Sequence, residues 1–182
     1  MKNSSITHAL VIDLEATCCN RGSLTKNDIE IIEIGAFLVE LSSLTTTYSF
    51  HSYVQPVKSS KITPFCRRLT GIQQSDVDEA SEFPDVAEEL FKNIDDFSKV
   101  VFACWSNFDW RQMRKDCVYH KIKFPFQNQY WDLQKLFRQK QKLHQNYSVK
   151  GALTVINEEF EGREHSAYYD ALNTAKLVPY CL

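Results

Sequence analysis

A short apolar strand that ends in two acids places the strongest constraint on this chain. Residues 10–17 read Leu-Val-Ile-Asp-Leu-Glu-Ala-Thr. Alternate side chains of a strand lie on the same face, so Asp13 and Glu15 point in one direction where the strand ends. Two adjacent carboxylates repel each other, and the repulsion must be offset by protonation, by a cationic side chain or by a bound metal ion. The segment therefore predicts a strand whose end is a candidate cation site.

Length and composition predict one folded domain over residues 1–182. Of the 182 residues, 43% are hydrophobic and 24% are charged, which is enough for a sizeable core. The formal net charge of −2 excludes a bulk polycation. A nucleic-acid partner would therefore have to be bound locally, by a basic patch or through a bound metal ion.

The apolar runs and the cysteines indicate a cytoplasmic protein without a membrane partner. No apolar run approaches the roughly 18 residues of a membrane-spanning helix. No apolar region of the signal-peptide type precedes the first strand. The six cysteines include no Cys-x-x-Cys pair, which favours reduced thiols over a disulfide framework or a zinc site.

The spacing of apolar residues predicts three strands followed by alternating helices and strands. The first strands are expected over 8–14, 30–41 and 48–55, and the last two are expected to form a hairpin. The other expected elements are helices over 64–70 and 84–95, a strand over 99–105, a helix over 109–120, a strand over 129–133, and helices over 134–143, 149–157 and 167–180. This order predicts an α/β domain with a mixed central sheet flanked by helices.

Three later residues are candidates to complete a site with Asp13 and Glu15. Asp109 follows an apolar strand and opens a helix, where an acid also favours the helix dipole without any further role. His165 precedes the last helix and Asp170 lies in its first turn; alone, they would read as a solvated histidine and a surface acid. That helix is otherwise largely apolar, however, and a charge on it needs a partner such as a bound cation.

Together these residues are typical of a divalent-metal site for phosphodiester hydrolysis. Four carboxylates cannot be buried together without cations, and hard oxygen ligands suit Mg²⁺ or Mn²⁺. Two such ions about 3.5–4 Å apart can activate a water and stabilise the leaving oxygen of a phosphodiester. The reaction also needs a proton acceptor that titrates near neutrality, and His165 is the natural candidate.

The order and spacing of these motifs resemble those of the DEDDh 3′-to-5′ exonucleases, over nearly the whole chain. The resemblance is to the branch of the histone-mRNA and small-RNA 3′-end exonucleases and the bacterial KapD-type proteins. The segments that carry it are 13–18, 65–72, 77–84 and 160–166, together with the His-x4-Asp spacing of His165 and Asp170. The resemblance implies a ribonuclease-H-like exonuclease fold with a five-stranded sheet, and a single 3′-to-5′ exonuclease domain over 1–182.

The same resemblance implies a role for each site residue. Asp13, Glu15 and Asp170 would hold a first metal ion, and Asp109 would reach a second ion that Asp13 also touches. His165 would deprotonate the attacking water. The expected substrate contacts are Glu15, Ala16 and Thr17 near the terminal ribose, and Leu69, Ile72 and Trp105 near the last base. For Trp105, packing at the end of a core strand is an alternative to stacking.

The chain departs from the family pattern near its histidine. The family usually reads His-x-Gly-x-Asp-Asp, whereas this chain has Ala167 for the glycine and Tyr169 for the first aspartate. The metal-binding acid, Asp170, is retained. The run over 138–142 carries Arg138, Lys140 and Lys142; it is a candidate backbone-binding groove or simply a solvated helix face.

The sequence thus predicts an exonuclease acting on the 3′ end of single-stranded RNA or DNA, with two Mg²⁺ or Mn²⁺ ions per active site. RNA is favoured by the branch resemblance alone. An oligonucleotide hydrolase that clears very short chains is a second enzymatic reading. A catalytically silent nucleic-acid or protein-binding module on the same fold is the alternative from another class, against which the retention of all five catalytic residues argues.

Overall fold

A mixed five-stranded sheet forms the centre of the protein in this computed structural model, which describes residues 6–20, 24–25, 27–126 and 130–182. The strands are β1 (His8–Ala16), β2 (Ile31–Glu40), β3 (Thr45–Tyr53), β4 (Val100–Cys104) and β5 (Tyr130–Asp132). Their order across the sheet is β3-β2-β1-β4-β5. The pairs β1–β2 and β2–β3 are antiparallel, whereas β1–β4 and β4–β5 are parallel. The predicted mixed α/β fold is confirmed.

The helices of the described chain connect and cover these strands. They are α1 (Pro64–Thr70), α2 (Gln74–Asp78), α3 (Phe83–Phe91), α4 (Asn107–Tyr119), α5 (Leu133–Lys140), α6 (Val149–Val155) and α7 (Ala167–Leu177). Thr63 caps α1 by accepting a hydrogen bond from the backbone N–H of Cys66, and Gly71 ends that helix with a left-handed φ of 78°. Ser148 caps α6 in the same way as Thr63 caps α1.

The side chains of β1 divide between two hydrophobic cores, one on each face of the sheet. Leu10, Ile12 and Leu14 pack with α3 and α4. Ala9 and Val11 pack with α5, α6 and α7 on the opposite face. Because strand side chains alternate, the odd-numbered positions continue on the α7 face as Asp13 and Glu15. The strand pattern therefore aims both acids at the last helix.

Gly35 of β2 allows α7 to lie close to the sheet. A Cβ atom at this position would be 2.0 Å from the backbone oxygen of Ala167, far inside van der Waals contact. Only glycine accommodates so close an approach of backbone to backbone. The beginning of α7 is thereby held next to β2, and α7 packs chiefly on β2 and β1.

Several predicted element ends were wrong. The hairpin strand β3 starts at Thr45 because the chain reverses tightly after β2, with Leu44 at a φ of 57°, and it ends at Tyr53. Helix α3 ends at Phe91, although Ile94 still packs in the core from the following turn. Helix α5 covers Leu133–Lys140, so the expected range of 134–143 was displaced. The strand expected over 129–133 begins outside the described residues and is observed as Tyr130–Asp132.

The last helix is also shorter than expected. Helix α7 ends at Leu177, and a 3₁₀ turn, Val178–Tyr180, follows it. Pro179 has no backbone N–H to continue the helical ladder, which accounts for the change. In the part of the chain that the structure describes, no helix has both the length and the apolar character to span a membrane.

Candidate active site

Three carboxylates converge where β1 meets the first turn of α7. Asp13 and Glu15 come from the end of β1 and Asp170 comes from α7. Each offers one oxygen, and these oxygens all lie within 4.8 Å of one another. Three partly buried carboxylate oxygens at this separation form a hard donor set of the kind that binds Mg²⁺ or Mn²⁺.

Asp109 comes from α4, which packs on the face of the sheet opposite α7. It does not belong to the three-carboxylate group. It lies in the first turn of α4, whose N-cap Ser106 accepts a hydrogen bond from the N–H of Phe108 at 3.3 Å. The Oδ1 atom of Asp109 accepts a hydrogen bond from the backbone N–H of Leu14 at 3.2 Å. The bond ties this buried acid to the residue between Asp13 and Glu15.

His165 lies on the exposed loop immediately before α7. Its φ of 60° is in the left-handed region, which a residue with a side chain adopts at a cost. Its backbone N–H donates to Oδ2 of Asp170 at 2.8 Å, and this bond fixes the loop conformation. Asp170 thus offers an oxygen to the carboxylate group and also holds the loop of the histidine.

Burial raises the pKa of every acid in this cluster, and the charges of neighbouring acids raise it further. For Asp13 the pKa is well above its ordinary range, first because of burial and then because of Asp109, Asp170 and Glu15. Burial, followed by the charges of Glu33 and Asp170, raises the pKa of Glu15 to about 8. Without a cation, the cluster therefore retains protons that exposed acids have already lost at neutral pH.

The pKa values of the two remaining acids, Asp109 and Asp170, are raised less because hydrogen bonds stabilise their charged forms. Burial raises the pKa of Asp109 to about 7, against the lowering effect of bonds from its own backbone and from Leu14. Burial raises the pKa of Asp170 to about 6, while the backbone bond and the charge of His165 lower it. Desolvated acids that repel each other in a cavity are typical of functional sites.

The cluster opens into a cavity of about 400 Å³. Asp13, Glu15, Asp109, His165 and Asp170 all line it, so the structure brings the five predicted catalytic residues together. The other lining residues are Leu14, Trp105, Ser106, Phe108, Ser148, Val149, Lys150, Phe160 and Glu164. A larger groove, about 600 Å³ between β3 and α3, is lined by none of the five.

Phe108, Lys150 and Glu164 also line this cavity, and none of the three was predicted as a site residue from the sequence. Phe108 is 44% exposed, which is unusual for a large aromatic ring beside a polar cavity. Lys150 of α6 and Glu164 of the His165 loop form an ion pair of 2.5 Å between Nζ and Oε1 at the cavity wall. Phe108 could have been predicted from the sequence because it is an apolar residue directly before Asp109, in the first turn of α4.

The predicted substrate contacts differ in how much surface they offer. Trp105 is 6% exposed, and its indole N–H donates to the backbone oxygen of Tyr147 at 2.9 Å, so packing accounts for most of the ring. Ile72 is 2% exposed and packs with Ile32, Cys66 and Val77. Leu69 is half-buried, and its backbone oxygen accepts a bond from Arg163. Contact of Trp105, Leu69 and Ile72 with a base stays a prediction.

The residues at the end of β1 are buried. Ala16 and Thr17 are 8% and 2% exposed. The backbone N–H of Thr17 already donates to Glu30 at 2.8 Å, and its hydroxyl accepts from the N–H of Glu30 at 2.9 Å. The basic run over 138–142 begins on α5 and supplies no residue to the cavity wall. A role for any of these residues in substrate binding stays a prediction.

With the geometry established, comparison with known proteins identifies the family. The model of the Exonuclease family, RNase_T, matches residues 10–178. This chain belongs to that family. It is 33% identical to human ERI1 exoribonuclease 2 over 197 residues, which cover 94% of this chain and 28% of that protein. It is 30% identical to the probable 3′-5′ exonuclease KapD of Bacillus subtilis over 176 residues, 92% of this chain and 81% of that protein.

A solved structure gives the same assignment. The nuclease domain of 3′hExo, a DEDDh family member bound to rAMP, superposes with a TM-score of 0.84 at 26% identity and covers 96% of this chain and 90% of that one. The predicted membership of the DEDDh 3′-to-5′ exonuclease branch and the ribonuclease-H-like exonuclease fold are confirmed. The chain spans only about a third of the length, or less, of the ERI1 exoribonuclease 2 relatives that it matches.

Proposed function

We propose that this chain releases nucleoside 5′-monophosphates one at a time from the 3′ end of single-stranded RNA or DNA. The observation that carries the proposal is the convergence of the carboxylates of Asp13, Glu15 and Asp170 within 4.8 Å, in a cavity that Asp109 and His165 also line. A hard-ligand cluster that can hold metal ions, with a histidine beside it as a proton acceptor, is an arrangement suited to phosphodiester hydrolysis.

The cluster fits divalent cations. Its donors are all carboxylate oxygens, and burial together with the charges of neighbouring acids raises the pKa of each acid. A bound cation would offset the repulsion between these carboxylates and the cost of their burial. We infer that Asp13, Glu15 and Asp170 hold one ion and that Asp13 and Asp109 hold a second. Bound there, Mg²⁺ or Mn²⁺ supplies the positive charge that stabilises a phosphodiester as negative charge builds up during cleavage.

The residues of the chain itself supply the remaining steps. The imidazole of His165, on an exposed loop that lines the cavity, takes the proton from the attacking water. The Asp170 carboxylate holds that loop in place through the bond to the His165 backbone. The exposed ring of Phe108 offers a face on which the last base stacks, which is a sequence-tolerant contact. The Lys150 ammonium attracts the phosphate backbone at the cavity wall.

RNA is the favoured substrate in this proposal. Its support is that human ERI1 exoribonuclease 2 is named for RNA and that the 3′hExo nuclease domain was solved with rAMP. The deciding experiment compares matched 3′-labelled RNA and DNA oligomers with one enzyme preparation, with Mg²⁺ and with EDTA. Magnesium-dependent release of labelled mononucleotide supports the proposal, and faster release from RNA supports the substrate preference. Tight binding of either oligomer with no release would favour the silent binding module instead.

A further inference from the structure

Glu33 is a buried acid beside the carboxylate cluster but outside it. In the antiparallel pairing of β1 and β2 it lies directly opposite Glu15, so both side chains are on the sheet face that α7 covers. Glu33 is only 2% exposed. Like charges at opposed positions destabilise a sheet, and a buried carboxylate costs further free energy unless it is well bonded. The cost calls for a compensating role.

The hydrogen bonds of Glu33 identify that role as a cap on α7. Its Oε2 accepts the backbone N–H of Ala167 at 3.1 Å, and its Oε1 accepts the hydroxyl of Ser166 at 3.1 Å. Ser166 is the N-cap residue of α7, yet its own side chain makes no capping bond. The first N–H groups of a helix have no partner within the helix, and they attract negative charge. Glu33 therefore supplies from β2 the bond that an N-cap side chain usually supplies.

This cap lies between the two functional residues of the same segment. Ser166 and Ala167 are among the four residues between His165 and Asp170, and Gly35 on β2 allows the backbone of Ala167 to approach closely. The remaining partner of Glu33 is His51 on β3, whose Nε2 is 2.9 Å from Oε1. His51 is part of the edge strand, and its ring also lies edge-on to that of Tyr168 with the centroids 5.5 Å apart, but the hydrogen bonds to Ser166 and Ala167 come from Glu33 alone. The two roles of Glu33 can therefore be separated by substitution.

We propose that Glu33 is a positioning residue, which caps α7 from the neighbouring strand and so holds His165 and Asp170 in register with Asp13 and Glu15. The proposal rests on the proposed function for its kinetic consequences. Its structural part, the cap, stands independently of activity.

The matched variants are Glu33→Ala, Glu33→Gln and His51→Ala. Glu33→Ala removes both bonds that Glu33 makes to the start of α7 and leaves the N–H of Ala167 without its Glu33 acceptor. Misplacing site groups by about 1 Å costs on the order of 10²-fold in rate, so kcat should fall by about that factor while KM changes far less. Glu33→Gln keeps an acceptor for Ala167 and an amide group that can bond Ser166. It should keep kcat within about three-fold at saturating Mg²⁺, as should His51→Ala, which leaves both capping bonds in place.

The test combines these rates with backbone hydrogen exchange over residues 164–172 in the metal-free protein. We expect faster exchange and low kcat in Glu33→Ala alone, with rescue of both by Gln. Wild-type kcat in Glu33→Ala would overturn the proposal. The proposal would also be overturned if Glu33→Gln lost as much kcat as Glu33→Ala while its backbone hydrogen exchange stayed as slow as that of wild type. The charge of Glu33, and not its capping bonds, would then determine the rate. If Glu33→Ala does not fold, Glu33→Asp, too short to reach α7, replaces it with the same expected pattern.

The exchange measurement also separates this proposal from the proposed function. Should the wild-type protein release no mononucleotide, the exonuclease proposal fails. Faster exchange in Glu33→Ala, with protection restored in Glu33→Gln, would still support the cap. Unchanged exchange in Glu33→Ala would reject it.

Discussion

Replacing Glu15 with glutamine should stabilise the metal-free protein at alkaline pH. The pKa of Glu15 rises from an ordinary 4.5 to about 8 on folding, first through burial and then through the charges of Glu33 and Asp170. A rise of this size corresponds to about 5 kcal/mol of lost stability once the group is ionised in both folded and unfolded states. Glutamine has nearly the same shape and no charge to desolvate, so the variant escapes this cost.

Because folding raises the pKa of Glu15, the loss of stability is confined to a defined pH range. A carboxyl whose pKa is raised by folding costs nothing below about pH 4.5, because it is protonated in both states. The cost grows as pH rises and is complete above about pH 8, the folded pKa. The neighbouring acids take up protons and relax in response, so the expected gain from Glu15→Gln at pH 8.5 is about 2–5 kcal/mol. At about 2–4 °C per kcal/mol for a chain of this length, Tm rises by roughly 4–20 °C.

The assay is thermal or urea unfolding in EDTA at pH 5 and pH 8.5. Glu159→Gln, at an exposed glutamate, is the matched control and should leave stability unchanged at both pH values. Adding Mg²⁺ at pH 8.5 should stabilise wild type more than Glu15→Gln, since ligand binding to the folded state adds stability. A Glu15→Gln variant that is no more stable than wild type at pH 8.5, or that gains as much stability at pH 5, would show that the Glu15 carboxylate carries no such cost.

Three further predictions concern the reaction. If His165 is the general base, His165→Asn should lower kcat by about 10²–10⁴-fold with little change in metal affinity; unchanged kcat in single-turnover assays would make the histidine a bystander. A 3′-phosphorylated oligomer should resist degradation while 5′ phosphorylation matters little, and equal degradation of blocked and free 3′ ends on a denaturing gel would indicate an endonuclease. Glu164→Gln should release Lys150 from its ion pair and lower the KM for an oligonucleotide by about two- to five-fold, whereas Lys150→Gln should raise that KM. A KM that does not respond to either change would exclude Lys150 from substrate binding.

The sequence predicted the parts of the site that local patterns determine. The alternation of β1 placed Asp13 and Glu15 on one face, and the largely apolar last helix indicated that Asp170 needed a partner. Thr63 and Ser148, which cap α1 and α6, are likewise of the residue types that the position before a helix favours. Such features depend on neighbouring residues only, so a single chain is enough to predict them.

The parts that were missed depend on tertiary contacts. Glu33 lies among the apolar residues of β2, and its capping role can be recognised only once the position of α7 is known. The Lys150–Glu164 pair joins residues 14 apart in sequence across the cavity wall. Trp105 could not be assigned from the sequence either, because an aromatic ring at the end of a strand can stack on a base or pack in the core. The structure shows that most of its ring is packed.

The most direct test of the account is release of a 3′-terminal label from single-stranded RNA by wild type and by Asp13→Ala, each shown to be folded by circular dichroism. Asp13 is the acid expected to touch both metal ions, and its removal relieves repulsion from Asp109, Asp170 and Glu15. We predict magnesium-dependent release by wild type, and no turnover from an Asp13→Ala variant that is at least as stable as wild type without metal. Near-normal release by the folded variant, or release by wild type that is indifferent to EDTA, would contradict the central claim.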